Sequence, residues 1–293
     1  MTRPLTRLAW VLAGATVLVQ MAFPFTDGGT LALTTGSVLL LAAASLVHAA
    51  ATRGPGAALV LLVVAGGGGL VAEAVGTRTG YPFGAYEYTG TLGLEVLDVP
   101  ALVPLAWVMM AWPALVVARR LAGSRGPVAT ALVGALALTA WDVFLDPQMV
   151  DAGHWVWADP HPTLPGVTGI PLTNFAGWLL VSLLMVAVLD RLLPGHGDAG
   201  RRDAGHGDAG RRDAGDRAPL RDDAVPVVVY LWTYFSSVLA HLAFFGRPPV
   251  ALVGGIVMGL VAVPLAVGVV RELRAARAVA EPQGPRTRQG HPS

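Results

Sequence analysis

The chain has 293 residues, of which 54% are apolar and only 13% charged, where a soluble domain carries roughly 25% charged residues; a single water-facing globule is excluded. A formal net charge of +1 argues against nucleic acid as a partner. The absence of cysteine excludes disulfides, zinc–thiolate sites, iron–sulfur clusters and a thiol nucleophile, and the bulk partner that remains is the lipid bilayer.

A hydrocarbon core about 30 Å thick is crossed by about 20 apolar residues of helix, because a helix satisfies its own backbone there. Such runs are predicted at Leu8–Phe23, Leu31–Ala51, Ala57–Val75, Ala101–Val117, Val128–Leu145, Leu172–Leu193, Val225–Phe245 and Val250–Val270. The fold class is therefore all-α: a polytopic transmembrane helical bundle of about eight spans, multi-pass in the cell membrane. The first run follows Arg3 and Arg7 but lacks a small-residue cleavage site at Phe23-Pro24-Phe25, so it is expected to be a retained span and not a signal peptide.

Arginine supplies every basic residue, and it alternates between loops. Arg53, Arg119, Arg120 and Arg125, the run Arg191 to Arg221, and Arg271, Arg274 and Arg277 fall on one side with the N-terminal pair, whereas the other side holds only Arg78 and Arg247. Positive charge stays cytoplasmic, so both termini are expected in the cytoplasm. A single membrane domain covers residues 1–278, interrupted by an unstructured cytoplasmic linker at 194–224 in which Gly195 to Ala204 (GHGDAGRRDA) recurs unchanged at Gly205 to Ala214; residues 279–293 form a disordered tail.

Two outer loops, Thr77 to Pro100 and Asp146 to Pro171, are long and rich in aromatic, glycine and proline residues, including Tyr81, Phe83, Tyr86 and Tyr88 in one and Trp155 and Trp157 in the other. They read either as an interfacial aromatic belt or as a lid over the mouth of the bundle.

An ionisable side chain at mid-membrane costs roughly 2.5–3.5 kcal/mol. Glu73 follows the run Gly66 to Gly69, where missing side chains permit close approach of a helix or flat ligand. Asp142 and Asp146 share one helix face if the fifth span continues that far. Tyr230, Tyr234, Ser237 and His241 form a polar stripe on the seventh span that should face protein. The three acids and His241 all fall toward the outer half of the bilayer, where like charges close together cannot all ionise; at least one acid should remain a proton donor. The pattern G-x-G-x-x-A at Gly67 to Ala72 lies inside a span without a βαβ context and is discounted as a dinucleotide site.

Several strings occurring in order, Glu73 to Tyr88 (EAVGTRTGYPFGAYEY), Val103 to Trp107 (VPLAW), Trp141 to Pro147 (WDVFLDP), Gly153 to Trp157 (GHWVW) and Gly169 to Phe175 (GIPLTNF), resemble the CruF-type carotenoid biosynthesis proteins, over the stretch from Glu73 to about Trp178. The resemblance implies hydration of the terminal double bond of an acyclic carotenoid end group, of the lycopene, γ-carotene or C50 bisanhydrobacterioruberin type, giving a tertiary alcohol without cofactor or metal. It implies a carotenoid substrate and, as further partners, other enzymes of the same pathway. On this reading Asp142 and Asp146 are the acid and its partner, and Glu73 stabilises the cation or positions water. Tyr81, Phe83, Tyr86, Trp107, Trp141, Trp155, Asn174, Tyr234 and His241 are the expected substrate-binding residues. Three alternatives stay open: a prenyltransferase-like enzyme using the DxxxD at Asp142 and Asp146 with magnesium, a non-enzymatic carotenoid-binding protein, and a proton-coupled transporter.

Overall fold

The computed structural model describes residues 3–26, 30–193, 195 and 219–280. The duplicated decapeptide lies outside the described residues, as do most of the expected linker and tail.

Among the described residues, eight helical stretches are long and apolar enough to cross a membrane. In chain order they are α1 (Arg3–Ala22), α2 (Leu31–Arg53), a composite third span, α5 (Leu102–Ala122), α6 (Pro127–Asp151), α7 (Leu172–Leu192), α8 (Leu220–Ala243) and α9 (Pro248–Ala280). The composite span consists of α3 (Pro55–Leu61), a wider π-helical segment at Leu62–Gly67, and α4 (Gly68–Thr79). α5 and α6 are buried along most of their length and form the centre of the bundle, while α1 is mostly exposed and packs beside α2.

The glycine run explains the irregular third span. Gly66 approaches α5 so closely that a Cβ would sit 3.2 Å from Val108, and one on Gly69 would sit 2.5 Å from the Trp107 ring. A π segment, frequent at functional sites, lets α4 settle against α5 and turns Glu73 inward, where it is 5% exposed. Left-handed Gly80 (φ 75°) then ends α4, its N–H bonding back to the Gly76 carbonyl.

α6 continues through Asp146 to Asp151, so Asp142 and Asp146 do lie one turn apart on the same helix. Pro147 inside it gives no backbone N–H to the preceding turn.

The two long loops contain short strands that the hydropathy pattern does not reveal. β1 (Tyr86–Tyr88) pairs antiparallel with β4 (Trp155–Trp157), with Tyr86 opposite Trp157 and Tyr88 opposite Trp155. β2 (Glu95–Val96) and β3 (Val99–Pro100) make a hairpin within the first loop, and β5 (Thr163–Leu164) pairs with β6 (Val167–Pro171) in the second. Side chains reinforce the inter-loop ladder: the Trp157 indole N–H donates to the Phe83 carbonyl at 3.0 Å and the Thr89 hydroxyl to the Gly153 carbonyl at 2.6 Å.

Candidate active site

Three buried carboxyl groups converge beneath the β1–β4 ladder. Glu73 enters from α4, and Asp142 and Asp146 from α6; none is more than 5% exposed. Glu73 sits in a cage of neutral donors. Its Oε2 accepts the hydroxyls of Tyr86, in a very short bond, and of Tyr88 at 2.9 Å, and its Oε1 accepts the indole N–H of Trp107 at 3.1 Å. Burial, and then the Glu73 carboxyl, push both phenols above the ordinary tyrosine range, so they remain donors.

Asn174 ties the aspartates together. From the first turn of α7 its amide nitrogen donates to Asp142 Oδ2 at 2.9 Å and to Asp146 Oδ2 at 2.5 Å. Asp146 Oδ1 also accepts the Trp155 indole N–H at 3.2 Å. The two carboxyls thus share one amide nitrogen, while Asp142 Oδ1 is buried without a donor. No described arginine is paired with any of the three acids.

Glu73, Asp146 and Asn174 line a cavity of about 50 Å³ whose walls are largely aromatic, Phe83, Tyr86, Tyr88, Trp107, Trp155, Trp157 and Trp178, while Asp142 lies behind Asn174, outside the lining. Trp107 stacks on Trp178 with centroids 4.0 Å apart, and Trp155 meets Tyr88 edge-on at 5.8 Å. Beside it runs an apolar groove of about 490 Å³ between α1, α2, α5, α6 and α8. A greasy groove next to a small box of acids and ring faces can hold a hydrocarbon chain while presenting its end to a proton donor.

The structure brings together Glu73, Asp142, Asp146, Phe83, Tyr86, Trp107, Trp155 and Asn174. Trp141 lines the larger groove and meets Trp178 edge-on at 6.0 Å. His241 also lines the groove, but its ring Nε2 bonds the Phe144 carbonyl at 3.0 Å, and it is not among the carboxyls. Tyr234 lines neither cavity; its hydroxyl donates to the Gly255 carbonyl at 3.3 Å, joining α8 to α9. Tyr81 is 78% exposed and also stands apart. Three aromatic wall residues go beyond the expected set, Tyr88, Trp157 and Trp178, and so do the aliphatic Val103, Ala106 and Leu145. Tyr88 and Trp157 belong to the aromatic loops, and Trp178 could have been inferred from its place one turn after Asn174 on α7.

Comparison with known proteins points the same way. The profile of the family described as "Carotenoid biosynthesis protein" matches residues 34–261. Bisanhydrobacterioruberin hydratase of Haloarcula japonica is 35% identical over 121 residues, which cover 40% of this chain and 40% of that protein. The chain thus spans less than half the length of this relative in the matched region. No solved structure matches the chain.

Proposed function

Because the chain belongs to the carotenoid biosynthesis protein family, we propose that it is a hydratase that adds water across the terminal double bond of an acyclic carotenoid end group, with Asp142 and Asp146 as the acid pair. The observation that carries this reading is the gathering of three buried carboxyls, met only by neutral donors, at an aromatic chamber that Glu73 and Asp146 line, with Asp142 joined to Asp146 through Asn174, beside an apolar groove.

Two carboxyls that share one neutral donor, with no described arginine beside them, resist ionising together, and on this reading the pair keeps one proton. That proton is the one the reaction needs. It passes from the Asp142–Asp146 pair to the less substituted carbon of the terminal alkene, and the tertiary carbon becomes cationic. The aromatic faces and the Glu73 carboxylate, held by Tyr86, Tyr88 and Trp107, stabilise that charge. A water in the chamber then forms the C–O bond and returns a proton to the acid pair, so the sum is alkene plus water giving tertiary alcohol. The cycle consumes no redox equivalent.

The same lining speaks against the prenyltransferase-like reading, because a diphosphate is bound by cations and no described arginine or histidine lines the chamber. Under the arginine rule the chamber opens toward the non-cytoplasmic half of the membrane. The relative's name points to a substrate of the bisanhydrobacterioruberin type, and lycopene-type and γ-carotene-type ends fit the same chemistry.

The test is expression in hosts that make acyclic carotenoids of different lengths, with mass analysis of the pigments. A product heavier by one water is expected from at least one of them. Unchanged pigments in every host, with the protein present in the membrane, would end this reading.

A further inference from the structure

The acid chamber and the apolar groove are separate cavities with one common wall, built by Val103, Ala106, Leu145 and Trp155. Val103 and Ala106, three residues apart, lie on one face of α5, and Ala106 precedes Trp107, the donor to Glu73. Leu145 precedes Asp146 on α6. These three are fixed in spans and cannot leave without unwinding a helix. Trp155 is different: it rides on the short β1–β4 ladder, and its 3.2 Å bond to Asp146 Oδ1 is at the long end of the normal range.

The groove's far side reaches lipid. Met21, Phe25, Phe235 and Phe244 line it and are each more than half exposed. A polyene dissolved in the bilayer can therefore enter sideways and bring its end against the shared wall. Beyond that wall, about 50 Å³ admits a few water-sized spheres, at roughly 10–15 Å³ each. A linear gem-dimethyl terminus is narrower than a substituted six-membered ring, so a chamber this small suits the former better.

Building on the hydratase reading, we propose that Trp155 is a gate, with Val103 and Ala106 as its sill, through which the chain end passes from groove to chamber, and that the width of this aperture selects a linear isoprenoid terminus over a cyclised one. When the indole swings aside it also releases a lone pair on Asp146 Oδ1. Opening the passage and freeing the acid are then the same movement. Trp155 acts as a positioning residue in this scheme.

The experiment uses the full chain in lipid vesicles and two photoreactive probes, a linear isoprenoid and a ring-terminated one, each carrying a diazirine at its end. Labelled residues are mapped by mass spectrometry. In the unaltered protein the linear probe should label chamber residues such as Tyr88 and Trp157, and the ring-ended probe only groove residues such as Phe235. Ala106→Phe, with Val103→Phe as a second filling variant, should shift the linear label into the groove and lower hydration by at least about tenfold, with thermal melting confirming a folded protein. Trp155→Ala should let the ring-ended probe label the chamber. Chamber labelling by the ring-ended probe in the unaltered protein, or undiminished chamber labelling in both filling variants, would overturn the gate. Chamber labelling by the linear probe without any hydrated pigment would sink the hydratase reading and leave the gate standing; hydrated pigment without chamber labelling would do the reverse.

Discussion

The two ends of the helical bundle treat buried acids in opposite ways. At the end carrying the short arginine-rich turns, every buried acid among the described residues has a cation: Arg119 donates to Asp190 at 2.7 Å and Arg120 to Asp223 at 2.9 Å, and Arg120 also pairs with the exposed Glu272 at 2.6 Å, joining α5 to α8 and α9. At the end under the long loops, Glu73, Asp142 and Asp146 meet only tyrosine hydroxyls, indole N–H groups and one amide. A buried acid with a cation is already neutralised and serves as a fastener between helices. An acid given only neutral donors keeps its proton chemistry available, and on the hydratase reading that difference in partners divides fasteners from acids that react.

Exchanging chemistry at one end for chemistry at the other tests this division, beginning with the largest effect. Asp142→Asn, Asp146→Asn and Glu73→Gln should each lower hydration by about a thousandfold, within the range for loss of a general acid or base, while the melting temperature in detergent hardly moves. Full activity in all three would erase the distinction. Arg120→Met should do the converse. Leaving Asp223 buried and unpaired costs about 3 kcal/mol of stability, seen in thermal or denaturant melts, with turnover per folded molecule unchanged.

Trp107→Phe keeps a ring against Gly69 but removes one donor to Glu73, and a loss of about 1.5 kcal/mol, or roughly tenfold in rate, is expected; measured turnover equal to that of the unaltered protein would show that the cage around Glu73 is idle. The smallest effect concerns pH. Tyr86 and Tyr88 titrate above the ordinary tyrosine range because burial, reinforced by Glu73, opposes their ionisation. Below about pH 10 both folded and unfolded chains keep these phenols protonated. Above it the unfolded chain ionises first, so stability falls as pH rises, and the double variant Tyr86→Phe with Tyr88→Phe should show a shallower decline in melts across that window.

Much of the fold was legible in the sequence because lipid is an undemanding solvent to read: an apolar run of the right length has few alternatives. Leu31 begins α2 as expected, and all eight runs became helices. The start of α8 is five residues earlier than the expected Val225, because Asp222 and Asp223 interrupt the apolar run while favouring a helix N-terminus. The π segment at Leu62–Gly67 was not legible, since it reflects how closely α5 packs against Gly66 and Gly69. The carboxyls were legible as costly charges in a span, yet their donors depend on tertiary contact. Tyr88 and Trp178 joined the site, whereas Tyr234 and His241 bonded to backbone carbonyls of α9 and α6 instead. Helical spacing shows which side chains share a face, but not which neighbour that face meets.

The pairing of Tyr86–Tyr88 with Trp155–Trp157 also dictates when the chamber can come into being. One strand precedes α5 and its mate follows α6, and the amide that clasps the aspartates arrives only with α7. A chain emerging into the membrane one helix at a time therefore holds Glu73 without its roof, and Asp142 and Asp146 without their clasp, until six spans are in place. On the hydratase reading, fragments ending before α7 should insert as helices yet be inert.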